Sequence, residues 1–146
     1  MSPTWMKKAL EEAHIALSKD EVPIGCVIVY QDTIIASSHN QTLSTQDPTA
    51  HAEVQAIRQA AAHLNNHRLL ETSLYITLEP CIMCYGAIIQ ARIPNVIFGA
   101  YDQRTGVFSQ PKLSNLLSLN HHPSWEGGIM EAECATLLTS FFKSKR

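Results

Sequence analysis

The stretch SLYITLEPCIMCYGAIIQA, residues 73–91, has the pattern of a strand followed by a helix. Its apolar and β-branched first part predicts a buried strand over 73–78. Pro80 stands where proline favours the start of a helix, and the apolar run behind it predicts a helix over 81–91. Cys81 and Cys84 are therefore expected at a helix N-terminus, on one face of the helix. The positive end of the helix dipole favours the thiolate form of a cysteine there.

The sequence on either side of this stretch predicts further strands and helices. Two β-branched runs separated by Gln31-Asp32 indicate an early hairpin, and a polar loop over 38–49 leads into an Ala-rich helix. Glycine, proline and asparagine mark most of the boundaries. The predicted strands are 26–30, 33–37, 73–78 and 95–100, and the predicted helices are 4–18, 50–64, 81–91, a short one near 112–119, and 131–142.

Two strands followed by alternating strands and helices predict an α/β fold, in which helices cover both faces of a mixed sheet. The chain has 146 residues, of which 45% are hydrophobic, and this is enough apolar material for one core. No internal repeat, low-complexity tract or linker interrupts the pattern. We therefore expect a single domain over residues 1–146.

Composition excludes several functional classes. The formal net charge is −2, with 11 Lys and Arg against 13 Asp and Glu, unlike the strongly basic domains that coat nucleic acids. The longest apolar runs are far shorter than the ~20 residues that span a bilayer, and the N-terminal residues lack the apolar core of a secretory signal. Four cysteines are too few and too unevenly spaced for a disulfide scaffold. These features predict an intracellular protein without a membrane segment.

His51, Glu53, Cys81 and Cys84 form a set of residues suited to metal chemistry. One imidazole and two thiolates are a zinc-binding set that leaves the fourth tetrahedral position for water, as in catalytic sites. Bound zinc lowers the pKa of its water from ~15.7 to about 7, and Glu53 is the candidate acceptor for the proton of that water. Residues two apart on a regular helix point to different sides, so His51 and Glu53 converge only if His51 lies at an irregular helix start. The preceding Asp47-Pro48 loop allows such a start.

Other interpretations stay open on the separate motifs. A Cys-x-x-Cys motif between a strand and a helix is equally typical of a dithiol redox site. A fourth protein ligand from another histidine would close the metal site and make it structural. Taken together, H-x-E followed by P-C-x-x-C matches the pattern of zinc deaminases that act on nucleobases. Cys26 and Cys134 are predicted to be buried core residues, and the remaining histidines to be surface or packing residues.

Longer strings of residues narrow this pattern to one family. The chain resembles the bacterial tRNA-specific adenosine deaminases of the cytidine-deaminase superfamily. The strings that carry the resemblance are EVPIG at 21–25, DPTAHAE at 47–53, TLEPCIMC at 77–84 and IFGA at 97–100, extended by Asp102, Thr105-Gly106 and 133–143. The resemblance covers nearly the whole chain, and it implies a three-layer α/β/α fold with a mixed sheet of about five strands.

The resemblance also implies a reaction. His51, Cys81 and Cys84 would hold one Zn²⁺ per subunit, and Glu53 would shuttle the proton while zinc-bound hydroxide attacks C6 of adenine. Hydrolytic deamination then converts adenosine to inosine at the wobble position of the tRNA anticodon. The implied substrate is the arginine tRNA with anticodon ACG.

Contacts to the substrate are implied as well. Asn40 would hydrogen-bond the flipped base, and Asp102 would contact the anticodon loop next to it. Because the whole chain is slightly acidic, contacts to phosphate must come from a local basic cluster. The candidates are Arg104, Lys143, Lys145 and Arg146, joined by Lys112.

The family further implies a cytoplasmic homodimer that has its sites near the subunit interface and binds the tRNA anticodon stem-loop. This chain departs from the family at Tyr85, where a small residue is usual, and over 107–112. These departures concern the site wall and the RNA contacts and leave the zinc ligands intact. Two other functions stay open: deamination of a free base or nucleoside of the guanine or cytosine type, and a non-catalytic zinc or RNA-binding module.

Overall fold

The structure is a computed structural model that describes residues 3–110 and 119–145. Helices and strands alternate along most of these ranges. In chain order the elements are α1 (Pro3–Ser18), β1 (Gly25–Tyr30), β2 (Thr33–His39), α2 (Thr42–Thr45), α3 (Ala52–Leu64), β3 (Thr72–Leu78), α4 (Ile82–Ala91), β4 (Asn95–Ala100), β5 (Ser124–Glu126) and α5 (Glu131–Ser144).

The strands form one five-stranded mixed sheet in the order β2-β1-β3-β4-β5. β1 pairs antiparallel with both β2 and β3, whereas β3 with β4 and β4 with β5 are parallel pairs. α4 makes the crossover between the parallel strands β3 and β4, as such a connection requires. The predicted fold class, an α/β/α arrangement around a mixed sheet, is confirmed.

Helices cover both faces of the sheet, and the strand residues alternate between them. Ile28, Ile76 and Phe98 pack on the face covered by α3 and α4. Their neighbours in sequence, including Val27 and Ile97, pack on the face covered by α1 and α5. Because side chains alternate along a strand, a sheet that is covered on both sides needs nearly continuous apolar strands. This explains the unbroken apolar character of the central strands.

One edge of the sheet gathers the loops that carry the candidate site. The ends of β3 and β4 lie together there, with Leu78 paired to Ala100. The start of β1 and the end of β2 reach the same edge, where Gly25 pairs with His39. Gly25 also allows a close approach of α1, because a Cβ at this position would lie 1.9 Å from the backbone oxygen of Ala9.

Most of the predicted elements are confirmed, with small shifts in their ends. Two elements were not predicted. α2 lies in the polar segment expected to be a loop, and β5 lies in the segment for which only a short helix was predicted. All three residues of β5 are exposed, so no alternating pattern marks it, and it forms because Asn95 and its neighbours offer a free sheet edge. The helix predicted near 112–119 lies outside the described residues except for Leu119.

All four cysteines are free thiols, and Cys26 and Cys134 are buried in the core as predicted. Tyr85 packs in a small cluster with Ile89 and Val107, and its ring meets the ring of Phe108 edge-on at 5.5 Å. Among the described helices, none has the length and apolar character needed to cross a membrane.

Candidate active site

Two helix N-termini meet at the candidate metal site. His51 is the N-cap residue of α3 and Cys81 is the N-cap residue of α4, and both have extended backbones. Neither side chain makes a capping hydrogen bond to its own helix, which leaves both free to point toward each other. The Nδ1 atom of His51 lies 3.7 Å from Sγ of Cys81 and 3.4 Å from Sγ of Cys84. Chain segments 30 residues apart thus place one nitrogen and two sulfur atoms within 4.8 Å of one another.

The electrostatics of this trio suit a divalent cation. A hydrogen bond from the thiol of Cys84, helped by His51, lowers the pKa of Cys81 to about 4. The hydrogen bond to Cys81, together with burial, raises the pKa of Cys84. The hydrogen bond to Cys81 raises the pKa of His51. A metal ion binds deprotonated cysteines and a neutral histidine, so it would take the place of protons on these side chains.

The donor set fits zinc. One imidazole nitrogen and two sulfurs are ligands that zinc prefers, and they leave one tetrahedral position to a non-protein ligand. Within the described part of the chain, no other His, Cys, Asp or Glu belongs to this group, so it is not a closed four-residue site.

Glu53 lies beside the trio. It is the second residue of α3, its exposure is 4%, and it lines a cavity of about 100 Å³ together with His51 and Cys81. Burial, with the negative charge of Cys81 nearby, raises the pKa of Glu53 to about 7. Because His51 precedes the first helical turn, the two side chains reach the same cavity although they are two residues apart in sequence. A carboxyl with this pKa is suited to accepting and donating a proton near neutral pH.

Asn40 and Asp102 lie at the same sheet edge and differ in their surroundings. Asn40 is buried, its backbone N–H donates to the oxygen of Ile24 at 3.1 Å, and its side-chain amide has no hydrogen bond to the described residues. Asp102 lines the cavity. Its carboxylate accepts hydrogen bonds from the N–H groups of Arg104 and Thr105, at 3.0 Å each, and from the hydroxyl of Thr105 at 2.6 Å. Partial burial opposes ionisation, but these bonds and the charge of Arg104 hold the pKa of Asp102 below its usual value.

The cavity continues into a larger groove of about 450 Å³ that runs toward α5. Ile24, Leu78, Asp102 and Thr105 line both spaces. Arg104 and Phe142 line the outer groove only, and Phe142 is 49% exposed.

Of the basic residues predicted to contact RNA, Arg104 is exposed and lines this groove. Lys143 is exposed and follows the groove residue Phe142 in sequence. Lys145 is half-exposed, forms an ion pair with Asp20 and lies 5.4 Å from the ring centre of Phe141. Arg146 and Lys112 lie outside the described residues.

Two buried carboxylates support the site and were not assigned a role from sequence. Glu79 accepts hydrogen bonds from Asp102 and Ser109, and Glu21 accepts hydrogen bonds from Leu43 and Ser44. Both carboxylates stand inside the strings that carry the family resemblance. The sequence signal for both was an acidic residue next to an apolar strand. Because a buried acid is rare unless it is paired, such a residue indicates a hydrogen-bonding role.

His39 was expected to be a surface or packing residue. The structure shows it buried and hydrogen-bonded to Glu12 at 2.9 Å. Its position directly before Asn40 was the only sequence signal.

Comparison with known proteins places this site in a family. The family model of the MafB19-like deaminases matches residues 2–145. The tRNA-specific adenosine deaminase of Streptococcus pyogenes serotype M1 is 46% identical over 143 residues, which cover 97% of this chain and 84% of that protein. The protein of the same name from Buchnera aphidicola subsp. Schizaphis graminum is 44% identical, with 97% of this chain and 94% of that protein covered.

Comparison with solved structures also identifies deaminases. A structure from a study of A-to-I editing by tRNA:A34 deaminases at the wobble position has a TM-score of 0.90 and 40% identity, and covers 94% of this chain and all of its own. A guanine deaminase from Bacillus subtilis is 37% identical with a TM-score of 0.63, and covers 77% of this chain and 69% of its own. On these matches, the chain is a deaminase of the MafB19-like family and belongs to its tRNA-specific adenosine deaminases.

Proposed function

We propose that this chain hydrolytically deaminates adenosine to inosine at the wobble position of a tRNA anticodon, with the arginine tRNA of anticodon ACG as substrate. The observation that carries the proposal is the small cavity in which the buried Glu53 lies beside the trio His51, Cys81 and Cys84. The relatives named for adenosine deamination in tRNA support the substrate class.

The trio of His51, Cys81 and Cys84 would hold one zinc ion per subunit. When bound, zinc would supply an acidified water with a pKa of about 7 as the nucleophile for C6 of the base. Glu53 accepts a proton from the attacking water and donates it to the leaving nitrogen, and ammonia departs. A carboxyl with a pKa of about 7 can perform both transfers at neutral pH.

Asn40 would orient the flipped adenine. Asn40 is a buried residue whose side-chain amide makes no hydrogen bond to the described residues, so its donors and acceptor are available to the matching groups of a base edge. Asp102 would contact the neighbouring nucleotide while its carboxylate also holds the turn at Arg104 and Thr105. The groove beside the cavity gives such a nucleotide room.

Phosphate contacts would come from Arg104, Lys143, Lys145 and Arg146, with Lys112 as a further candidate. Since the net charge is −2, the contacts must be local, and unstacked loop bases supply much of the specificity. Lys145 has to exchange its ion pair with Asp20 for a phosphate, and exposed pairs of this kind cost little to break.

The assembly proposed for the enzyme is a cytoplasmic homodimer of single-domain subunits that binds the anticodon stem-loop. On α4, Ile88 and Ile89 are buried in the subunit, whereas Gly86 is exposed and Ala87 is half-buried. Ala87 borders a mostly apolar groove with Val54 and Ile57 of α3. This face suits a second copy of the chain.

An inosine assay tests the proposal. Zinc-loaded protein is incubated with an anticodon stem-loop bearing ACG, and a matched stem-loop bearing GCG serves as the control. We expect inosine in the first RNA only. Absence of conversion by fully zinc-loaded protein would overturn the proposal.

Deamination of a free base is the second candidate, because a guanine deaminase is 37% identical to this chain. Faster ammonia release from guanine or cytosine than from the stem-loop would favour it. Four protein ligands around zinc in an X-ray absorption spectrum would instead indicate a non-catalytic zinc module. Reversible oxidation of Cys81 and Cys84 without bound metal would indicate a dithiol oxidoreductase.

A further inference from the structure

A network of side-chain hydrogen bonds connects α1 to α3 through His39 and Gln41. The Nδ1 atom of His39 lies 2.9 Å from the carboxylate of Glu12 on α1. Its Nε2 atom lies 3.4 Å from the side-chain nitrogen of Gln41. The side-chain oxygen of Gln41 in turn accepts a hydrogen bond from Gln55 on α3 at 3.3 Å.

The donor and acceptor roles in this hydrogen-bond network are mutually consistent. If Nδ1–H of His39 donates to Glu12, then Nε2 is an acceptor for the N–H of Gln41, and both ring nitrogens are used. The side chains of His39 and Glu12 are only 8% and 18% exposed, so water competes weakly for their bond. The bonds run in one direction, from Gln55 to the carboxylate of Glu12.

Asn40 lies in sequence between His39 and Gln41, which the hydrogen-bond network holds in place. Its side-chain amide makes no hydrogen bond to the described residues, so nothing in its own side chain holds the segment in place. Backbone hydrogen bonds connect Gln41 and Gln55 to the segment that carries His51. The N–H of Gln41 donates to the oxygen of Ala50 at 2.9 Å, and the N–H of Gln55 donates to the oxygen of His51 at 3.1 Å.

We propose that His39 is a positioning residue for the deamination. Held by Glu12 and Gln41, it sets the position of Asn40 relative to the first turn of α3, which carries His51 and Glu53. This inference rests on the proposed function, because it requires that Asn40 contacts the base. Glu12, which lies on α1 and outside the cavity, thereby influences how the base is held.

A double-mutant cycle tests this inference. His39→Phe keeps a ring of similar size and removes both hydrogen bonds. We expect it to lower kcat/KM for the ACG stem-loop by about 10- to 100-fold, since small displacements of a positioning group have effects of this size. In the Asn40→Ala background the same change should cost less than about threefold, because the group that His39 positions is then absent. The zinc content per chain should stay unchanged in all four proteins.

Glu12 offers a second cycle in case His39→Phe folds poorly. Glu12→Ala should reproduce the loss and its dependence on Asn40, and Glu12→Gln should restore most of the activity because an amide oxygen still accepts the bond. Glu11→Ala is the matched control, since Glu11 is the preceding residue of α1, is exposed and pairs only with Lys8 among the described residues. It should leave kcat/KM unchanged.

The outcomes separate the two hypotheses. Equal losses with and without Asn40, loss of zinc, or an equal effect of Glu11→Ala would overturn the positioning role while the proposed function stands. Wild-type protein that makes no inosine would overturn the proposed function, and the inference with it.

Discussion

The carboxylate of Glu79 accepts two hydrogen bonds from Ser109, one from its backbone N–H at 2.5 Å and one from its hydroxyl at 2.6 Å. The backbone N–H of Asp102 donates a third at 2.9 Å. Glu79 directly precedes Pro80 and Cys81, so one buried carboxylate holds both ends of the 102–109 loop against the start of α4. The loop that brings Asp102 to the cavity is thus held in place by Glu79.

Gly106 lies against this anchor. A Cβ there would lie 2.3 Å from the carboxylate of Glu79 and 2.5 Å from the backbone oxygen of Asp102. We expect Gly106→Ala to lower the free energy of unfolding by about 1–3 kcal/mol in urea denaturation and to lower kcat/KM by moving Asp102. The control is Glu11→Ala, because Glu11 is exposed on α1 and pairs only with Lys8 among the described residues. A Gly106→Ala protein as stable and active as wild type would contradict the anchoring role of Glu79.

Glu53→Gln should lose turnover and keep the metal. Replacing the proposed general acid and base should lower kcat by about 10²- to 10⁴-fold, whereas the proposed zinc ligands His51, Cys81 and Cys84 are unchanged. Single-turnover inosine formation and zinc content measured on the same sample check both expectations. Zinc loss in Glu53→Gln would mean that Glu53 supports the metal site, and wild-type turnover would remove it from the reaction.

Metal removal should expose one reactive cysteine. In the metal-free protein the pKa of Cys81 is lowered to about 4, so it is a thiolate at pH 6. Burial raises the pKa of Cys26 and raises that of Cys134 to about 12, so both should stay unreactive. Iodoacetamide followed by peptide mass spectrometry should therefore label Cys81 first, and zinc should block the reaction. Labelling of Cys134 at the same rate as Cys81 would contradict this order.

Glu21 should make stability depend on pH. Burial opposes the ionisation of Glu21, but hydrogen bonds from Ser44 and Leu43 and the nearby His39 favour it. In the folded protein the pKa of Glu21 therefore lies below its ordinary value of 4.5. The stabilisation is therefore complete above pH 4.5 and is lost as the pH falls through the lower folded pKa. Glu21→Gln should cost about 2 kcal/mol at pH 7, and the difference from wild type should shrink below pH 4.5. Urea denaturation at several pH values measures this, with exposed Glu11→Gln as the control, and a difference that grows in acid would reverse the assignment.

RNA binding should depend on salt through a few residues only. Arg104→Ala and Lys143→Ala should each weaken binding of the stem-loop and reduce the slope of log K against log salt concentration by about 1. Arg68→Ala is the control, because Arg68 is exposed near the start of β3, at the sheet edge opposite the cavity. Fluorescence anisotropy between low and moderate salt checks the slopes. An equal loss in Arg68→Ala would indicate nonspecific attraction instead of a local basic cluster.

Local patterns explain why so much of the fold was predictable. The helix over Ala52–Leu64 and the strand Thr72–Leu78 carry apolar side chains at the spacing that each element needs. The strand Ser124–Glu126 could not be predicted, because its three residues are exposed and it depends on the free edge of β4. The hydrogen-bonding roles of Glu79 and Glu21 were missed for a similar reason, since their partners lie 22 to 30 residues away in sequence.

The donor set of the candidate site, and the helix starts that carry it, could be predicted from the amino-acid sequence alone. Pro80 before Cys81 and the loop before His51 favour helix starts through contacts over a few residues. Local preferences of this kind can be recognised in a sequence. Three features became visible in the folded chain alone: the two helix starts face each other, burial raises the pKa of Glu53 to about 7, and His39 connects α1 to the segment of Asn40. Burial and the meeting of distant side chains depend on how the helices pack on the sheet, and that packing is a property of the whole chain.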